Sequence, residues 1–506
     1  MITWNYTHTR ELVGKTETNL YCTTVIQQSN FQPLSIQPSY TTSFINHVWT
    51  YTRSENTENP LISIVSEELD PPKKLDFYTN LPLFSTIPNT IKIPNKVEYA
   101  IRRYISKKLL RSIHPDIDVA VELCLLFLSQ LTSTYFGWMD GSNIDGWKSL
   151  KAEYIRELVF IEPESYKKIR EALETKLWTG PIIECDYDSE RWTKCYHYRL
   201  GSNYIGKGIC SYELKTPEVQ QLNIQNRQRK FDSAVSNTIA SNLIFFYSMI
   251  GLPTHKEIMI HSKQLVKDGY KTKKGKILTM RNKHSNDYFK DHENRSFVED
   301  NLTTYSHLIE GGLMIPRIGS KECGGRVFDS LSLMPGFIRN MIKIEGKPIV
   351  ECDYSCLHPN IAIGLYGGSE GHLTHQRVAE ETGIDLIRVK LEHLSFFNKH
   401  PKQMEKSPLF DYYLKKEPQM MKNLINEKYE SKRKYKTTSE KMMSKEVIII
   451  NDVIQALNQE GIYVGYTYDA LFCKPEHAER LKALMDEQVL KHGVMTTAKI
   501  SSPHAS

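Results

Sequence analysis

The feature that most constrains the fold of this chain is a short apolar run that ends in an acidic residue. Residues 348–352 read as a buried strand, and Asp353 and Tyr354 follow at once. Residues 357–366 then continue with helical apolar spacing. The chain must therefore pass from strand to helix directly after Asp353, which leaves a carboxylate at the end of a buried strand. That carboxylate and the neighbouring backbone carbonyl are the oxygen ligands that a hard divalent cation prefers.

A second acidic position lies in what the sequence predicts to be a β-hairpin. Residues 461–467 form one strand, Tyr468 and Asp469 occupy the turn, and residues 471–475 form the returning strand. If this turn faces the first strand, Asp353 and Asp469 make a two-carboxylate site for two Mg²⁺ ions, or Mn²⁺ in their place. Taken singly, each aspartate is equally compatible with an ordinary turn or strand end, where Asp is common.

The residues around these aspartates resemble a known family. Gly324-Gly325-Arg326, Leu333-Met334-Pro335, Arg339, residues 349–355 and His358 follow, in order and approximate spacing, the segment that leads into motif A of family A DNA polymerases. Tyr468-Asp469-Ala470 is similar to motif C, with Tyr468 in place of a histidine. Between them, Arg388, Lys390 and Phe397 resemble the fingers helix of motif B. The resemblance covers roughly residues 320–475, about a third of the chain.

This resemblance implies the right-hand palm that family A DNA polymerases share with single-subunit RNA polymerases. It implies catalysis by Asp353 and Asp469, with Tyr354 as a further metal ligand. The incoming nucleotide would be bound by Arg388, Lys390, His358 and Phe397. Arg326 and Arg339 would contact the primer–template, although each is also compatible with a surface or salt-bridging role.

The sequence departs from the family pattern in ways that leave the choice of sugar open. The family spaces the motif B Arg and Lys four apart, whereas Arg388 and Lys390 are two apart. His358 stands where the DNA polymerases have a glutamate that excludes the ribose 2′-hydroxyl, and Phe397 lies one residue short of the expected aromatic. Three functions therefore remain: a DNA polymerase, which the Tyr after Asp353 favours, an RNA polymerase, and a nucleic-acid-binding replication protein that no longer catalyses.

Residues 146–200 predict a winged-helix module. Two helical stretches, 147–159 and 165–177, precede two strand-like stretches, 182–186 and 194–200. Lys167 and Lys168 lie on the second helix and Arg191 lies in the wing, where they would contact nucleic acid. A small αβ packing module with solvated basic residues explains the pattern equally well.

The fold class predicted for the whole chain is α+β, a palm-like antiparallel sheet with helices joined to a mainly helical N-terminal half. Five regions are predicted. Residues 1–115 are irregular and then helical, ending in a basic amphipathic helix over 97–113, and residues 116–215 are helical and include the winged helix. Residues 216–300 are a basic, thumb-like connector, 301–475 are the palm with reduced fingers at about 375–450, and 476–506 are a C-terminal helix and tail.

Composition limits the classes of protein. The chain has 506 residues, of which 40% are apolar and 25% charged, as in soluble globular proteins. Nine cysteines without a Cys-x-x-Cys pair, and a start without a secretory signal, predict a cytoplasmic protein, in the host cytoplasm if it is viral. Its compactness would suit a bacteriophage or plasmid replicon.

The predicted partners follow from the distribution of charge. Although the net charge of +6 is mild, lysines cluster over 256–276 and 399–445, as a phosphate backbone would favour. We expect primer–template DNA, nucleoside triphosphates and accessory replication or transcription proteins as partners, and no membrane.

Overall fold

The computed structural model describes residues 83–84, 89–139, 143, 145–159, 164–177, 180–187, 195–282, 284–285, 288, 291–310, 312–369 and 371–501. Residues 81–506 belong to one compact unit, and residues 1–80 lie outside the described residues. The prediction of irregular structure before residue 81 and the predicted contact by Arg191 also fall outside them.

The first half of the described chain is built around one apolar helix. Its elements are β1 (Thr90–Pro94), α1 (Val97–Tyr104), α2 (Lys107–Ile113), α3 (Ile117–Ser129), α4 (Ser133–Met139), β2 (Lys148–Ser149), α5 (Ala152–Leu158), α6 (Ser165–Glu174), β3 (Ile183–Asp186), β4 (His197–Leu200) and β5 (Ile209–Glu213). Ten consecutive residues of α3, from Val119 to Leu128, are buried. A hydrophobic cluster that runs from Ile91 to Leu222 surrounds this helix.

The burial of α3 explains its composition. The stretch Ile117–Gly137 is long and apolar enough to cross a membrane, but 72% of its most apolar window is buried inside the protein. Glu122, also on α3, is buried and accepts hydrogen bonds from the backbone of Lys215 (2.6 Å) and Thr216 (3.0 Å). The helix is therefore the centre of a packed core, with its one buried acidic side chain satisfied.

The basic helix predicted over 97–113 is two helices. The Ser106 side chain accepts a hydrogen bond from the Leu109 amide at 3.2 Å, so it caps the start of α2. A serine that accepts such a bond at the helix N-cap begins a new helix, which the four-residue apolar spacing alone does not reveal.

The region predicted as a winged helix contains two short helices and a three-stranded sheet. Helices α5 and α6 lie between β2 and the β3–β4 hairpin, and the antiparallel strand order is β2-β4-β3. Lys167 on α6 forms an ion pair with Glu164 at 2.7 Å. The strand Lys148–Ser149 falls inside the stretch 147–159 that was predicted as a helix. The winged helix, and nucleic-acid binding by Lys167 and Lys168, stay predictions.

The connecting part of the chain carries short sheets. Its elements are α7 (Pro217–Val235), α8 (Thr238–Tyr247), β6 (Ile250–Gly251), α9 (His255–Lys267), β7 (Ile277–Thr279), β8 (Arg295–Phe297), α10 (Val298–Ile309), β9 (Arg317–Ile318), β10 (Val327–Phe328), α11 (Ser330–Leu333), α12 (Gly336–Arg339), β11 (Lys343–Ile344) and β12 (Lys347–Pro348). Strands β7 and β8 pair in parallel, whereas β9 with β10 and β6-β11-β12 are antiparallel. The described chain is thus a mixed α/β protein with several small, mostly antiparallel sheets.

The last part contains the largest described sheet. Its elements are β13 (Val350–Tyr354), α13 (Leu357–Tyr366), α14 (His375–Thr382), α15 (Leu386–Phe396), α16 (Pro401–Met404), α17 (Phe410–Lys416), α18 (Pro418–Glu430), α19 (Lys436–Gln459), β14 (Gly465–Thr467), β15 (Ala470–Cys473), α20 (Ala478–Lys491) and β16 (Ala498–Ser501). The strands are antiparallel in the order β14-β15-β13-β16. Helix α20 packs on β13 and β16, and α8 packs on β14.

This sheet crosses a predicted boundary. Strand β16 comes from the segment predicted to be a helix and tail, yet it pairs with the central strand β13. A boundary at residue 475 would therefore divide the sheet. The predicted helix after Asp353 is confirmed, since α13 spans Leu357–Tyr366 and ends at Gly367 with a left-handed φ of 73°.

Candidate active site

The sheet brings the two predicted aspartates close together. Asp353 on β13 lies opposite Ala470 on β15, and Asp469 immediately precedes Ala470 in the two-residue turn of the β14–β15 hairpin. Opposite residues of antiparallel strands have Cα atoms about 4.5–5.5 Å apart. Both aspartates line the same cavity. The structure thus brings together two carboxylates that lie far apart in the sequence, one on β13 and one in the turn that precedes the adjoining strand β15.

The electrostatics of the two carboxylates favour a cation between them. Burial, and then the negative charge of Asp469, raise the pKa of Asp353 well above its ordinary value. Burial, and then the charge of Glu446, raise the pKa of Asp469. Within the described part of the chain, Asp353 Oδ1 is buried and has no hydrogen-bond partner. An unpartnered buried carboxylate oxygen is costly unless a ligand satisfies it.

Tyr354, the third predicted metal ligand, offers only its backbone. Its hydroxyl donates to the Met485 carbonyl at 2.7 Å, so the side chain is directed toward α20. Lys499 lies opposite Asp353 on the other neighbouring strand, β16, and also lines the cavity. The carboxylate is therefore flanked by an acid on one side and by a cation on the other.

A buried glutamate that the sequence analysis missed organises the hairpin side of the site. Glu446 on α19 is 1% exposed. It accepts hydrogen bonds from Arg326 Nε (2.8 Å) and Nη2 (2.5 Å), and lies 2.7 Å from His358 Nε2. Burial would raise the pKa of Glu446, but the hydrogen bond and charge of His358, together with Arg326, hold it below its ordinary value.

Arg326 also supports the turn that carries Asp469. Its guanidinium carbon lies 4.5 Å from the centre of the Tyr468 ring. Tyr468 has a left-handed φ of 59°, a strained conformation for a residue with a side chain. Gly324, with a φ of 65°, lets the loop before Arg326 approach α19, because a Cβ there would lie 2.5 Å from the Ser444 amide nitrogen.

The sequence did hold a signal for Glu446. The buried residues of α19 include Met442, Ile449, Ile450 and Val453, and Glu446 lies on the same helical stripe. A single acid on an apolar stripe indicates a buried carboxylate with a partner, although the partner itself cannot be read from this spacing.

The cavity that contains these residues is large and basic. Its volume is about 2490 Å³. Four acidic residues line it: Glu322, Asp353, Glu446 and Asp469. Twelve lysines and arginines line it as well: Lys148, Lys151, Lys271, Lys273, Arg317, Arg326, Lys390, Lys432, Arg433, Lys434, Lys436 and Lys499. Such an excess of cations around a small acidic centre suits a polyanion that meets a metal site.

Only two of the four predicted nucleotide contacts line this cavity. Lys390 on α15 and His358 line it, whereas Arg388 and Phe397, although described, do not. Residues two apart on a helix point about 200° away from each other, so Arg388 cannot share the face of Lys390. Phe397 is fully buried against Phe396 and Tyr413. Arg388 and Phe397 therefore lie apart from the described cavity lining, and their nucleotide contacts stay a prediction.

Arg339, one of the two predicted primer–template contacts, is buried as well. It is 7% exposed, lies 5.2 Å from the centre of the Phe472 ring and donates to the Leu331 carbonyl at 3.3 Å. Burial lowers the pKa of its guanidinium. In this structure Arg339 supports the sheet from within, whereas Arg326 reaches the cavity.

Comparison with known proteins gives a distant structural similarity but no sequence relative. No family model matches the sequence, and no curated protein matches it. A solved structure, the POL domain of Pol1 from M. smegmatis in complex with DNA primer-template and dNTP, aligns with a TM-score of 0.33 and 10% sequence identity. The alignment covers 56% of this chain and 72% of that chain. The function of this protein has to be inferred from its own site.

Proposed function

We propose that this protein is a template-directed nucleotidyltransferase that acts as a DNA polymerase with two divalent metal ions. One observation carries the proposal: an unpartnered, buried oxygen of Asp353 lies beside a second aspartate in a cavity lined mainly by cations. Phosphoryl transfer between nucleotides by two metal ions requires carboxylates that hold the ions and nearby groups that bind phosphates.

The residues present fit Mg²⁺ or Mn²⁺. Asp353 and Asp469 offer hard carboxylate oxygens, and Tyr354 would add its carbonyl. A divalent cation would satisfy Asp353 Oδ1 and offset both the burial and the repulsion by Asp469 that raise the pKa of Asp353. When bound, such ions lower the pKa of a primer 3′-hydroxyl and neutralise the departing pyrophosphate.

The protein's own cations would bind the substrates. Lys390 lies on the face of α15 that lines the cavity, and Lys499 lies opposite Asp353 on β16. Both are placed to attract a triphosphate, because each ammonium is a mobile point charge at the cavity wall. Arg326 is held by Glu446 and stacks on Tyr468, so its role is to position the turn of Asp469.

A second candidate function has one observation in its favour. Arg388 and Phe397, which the polymerase resemblance implies as nucleotide contacts, do not line the described cavity, and Phe397 is buried. A replication protein that binds nucleic acid in the basic cavity but does not join nucleotides is consistent with that difference.

The test is incorporation of labelled dNTP or rNTP with Mg²⁺ on primed and unprimed templates. We expect dNTP incorporation on primed DNA, abolished by Asp353→Asn and unchanged by Asp411→Asn, which alters an exposed aspartate on α17. Incorporation of rNTP alone without a primer would overturn the DNA polymerase in favour of an RNA polymerase. No incorporation by a wild-type protein that still binds DNA would favour the non-catalytic candidate.

A further inference from the structure

Three side chains with sulfur and nitrogen donors meet at the wall of the cavity. Cys356 immediately precedes α13, His375 begins α14 and His393 lies on α15. Their potential ligand atoms all lie within 4.8 Å of one another. In the described part of the chain, no other group of three or more such side chains meets this condition.

We propose that Cys356, His375 and His393 bind a zinc-class transition metal ion, at a site distinct from the two aspartates. The distance between Cys356 Sγ and His375 Nδ1 is 3.5 Å. Ligands at about 2.3 Å for sulfur and about 2.0–2.1 Å for nitrogen on a tetrahedral ion would be separated by roughly 3.6 Å. The sulfur–nitrogen edge therefore already has the spacing of a metal-bound pair.

The second edge of the cluster needs only a small adjustment. His375 Nδ1 and His393 Nδ1 lie 2.8 Å apart. Two nitrogens on one tetrahedral ion would lie about 3.3–3.4 Å apart, so the rings must separate by roughly half an ångström. In the absence of an ion, the same contact is a hydrogen bond between two imidazoles, which is the ordinary explanation that the experiment must exclude.

The surroundings prepare both imidazoles as ligands. Tyr413 lies 2.7 Å from His393 Nε2, so a proton on Nε2 can be donated to the phenol, leaving the Nδ1 lone pair directed at the cluster. Outer hydrogen bonds of this kind orient metal-binding histidines. Burial lowers the pKa of His375 to about 4 and that of His393 to about 3, so both rings are neutral at neutral pH.

The donor set determines the class of ion. Thiolate and imidazole select zinc and similar transition metals, whereas the carboxylate oxygens of Asp353 and Asp469 select magnesium. Binding would replace the thiol proton of Cys356 with a metal–sulfur bond and release one proton to solvent. All three residues line the cavity, which leaves a fourth coordination position for water.

A bound ion would link three helices of the fold. The ion would join the starts of α13 and α14 to the last turn of α15, the helix that carries Lys390. Cys356 adopts a left-handed φ of 55°, which is strained for a residue with a side chain. A metal bond to its sulfur would offset part of that strain and fix α15 relative to β13.

The experiment is a titration of chelator-treated, full-length protein with Co²⁺, followed by absorption spectroscopy. We expect one equivalent to bind with a thiolate-to-cobalt charge-transfer band and the visible bands of tetrahedral cobalt, both removed by added Zn²⁺. Cys356→Ser should lose the charge-transfer band, and His375→Gln should weaken Co²⁺ binding at least roughly 10-fold. Cys323→Ser, which changes another cavity-lining cysteine, should keep the spectrum.

The outcomes separate this site from the proposed polymerase site. Asp353→Asn should leave the cobalt spectrum unchanged, since that residue is not a ligand in the cluster. Absence of a thiolate band in the wild-type protein, or its persistence in a folded Cys356→Ser variant, would overturn the metal site without bearing on nucleotide incorporation.

Discussion

Glu446 accepts hydrogen bonds from Arg326 and His358, which lie 120 and 88 residues away in the sequence. Removing one partner of a buried ion pair leaves the other charge without compensation. We therefore expect Glu446→Ala to lower the free energy of unfolding by about 3–5 kcal/mol. The free energy of unfolding is measured by denaturant titration monitored by circular dichroism. Glu460→Ala, which removes an exposed partner of Arg480, should cost at most about 1 kcal/mol.

The interactions of Glu446 also predict that the stability of the protein depends on pH. The pKa of Glu446 is held below its ordinary value of 4.5, so its ionised form contributes stability above that pH and loses it as the pH falls. Wild-type protein should lose stability on acidification through this range more steeply than Glu446→Ala. An equal loss in both proteins would contradict the assigned role of Glu446.

Ionisation of Asp353 should have the opposite effect to that of Glu446: it should lower the stability of the folded protein. Its pKa is raised, so the folded protein resists ionisation of this carboxylate, and stability falls as the pH rises above the ordinary value of 3.8. In a metal chelator at neutral pH, Asp353→Asn should therefore raise the free energy of unfolding by about 1–2 kcal/mol. Added Mg²⁺ should stabilise the wild type and not the variant, since only the wild type retains the site. If Asp353→Asn were less stable than the wild type in chelator, the predicted cost of ionising Asp353 in the folded protein would be contradicted.

Asp353 and Asp469 were predicted from their places beside short apolar runs together with the motif resemblance, since the local pattern alone fits an ordinary turn equally well. Both line the cavity. Glu446 was missed, since its partners come from distant parts of the chain. Arg339 appeared as a basic residue available to DNA, but its guanidinium lies under the sheet against Phe472. Side-chain burial of this kind depends on tertiary packing.

At the scale of elements, the rotation of α15 decides which of its cations reaches the cavity. Lys390 lines it and Arg388 does not. If Lys390 binds the triphosphate, Lys390→Ala should raise the KM for nucleotide roughly 10- to 100-fold, as expected for losing a hydrogen bond to a charged group. Arg388→Ala, an equally exposed cation on the same helix, is the matched control and should change KM little. A larger effect of Arg388→Ala would show that α15 rotates when substrate binds.

The elements themselves were predictable to different degrees. The helix after Asp353 has the predicted bounds, because its apolar spacing and terminal glycine coincide. The basic helix was predicted as a single helix because its apolar spacing continues past Ser106. In the structure the Ser106 side chain caps the start of a second helix, which the spacing does not reveal. Strand β16 was missed, since a four-residue strand becomes evident only from its pairing with β13.

At the scale of the whole molecule, the basic cavity predicts a salt-dependent interaction with nucleic acid. Lys432, Lys434 and Lys436 are exposed and line the cavity between α18 and α19. Replacing all three with Gln should make the slope of log affinity against log salt less negative by about 2–3, roughly one per lost phosphate contact. Fluorescence anisotropy with labelled DNA measures this slope.

The control for that slope lies elsewhere on the same molecule. Lys107, Lys108 and Arg111 are exposed on α2 and are not among the described residues that line the cavity. Replacing these three with Gln removes the same charge and should leave the slope unchanged. Equal slopes for the two triple variants would mean that nucleic acid does not bind through the cavity.

Whether Asp353 and Asp469 together hold divalent ions is tested most directly by anomalous diffraction from crystals grown with Mn²⁺ and a non-hydrolysable nucleoside triphosphate. We expect two manganese peaks about 3.5–4 Å apart, bridged by oxygens of both aspartates and contacting the triphosphate. Manganese bound elsewhere, or a triphosphate seated in the cavity without an ion at these carboxylates, would contradict this expectation.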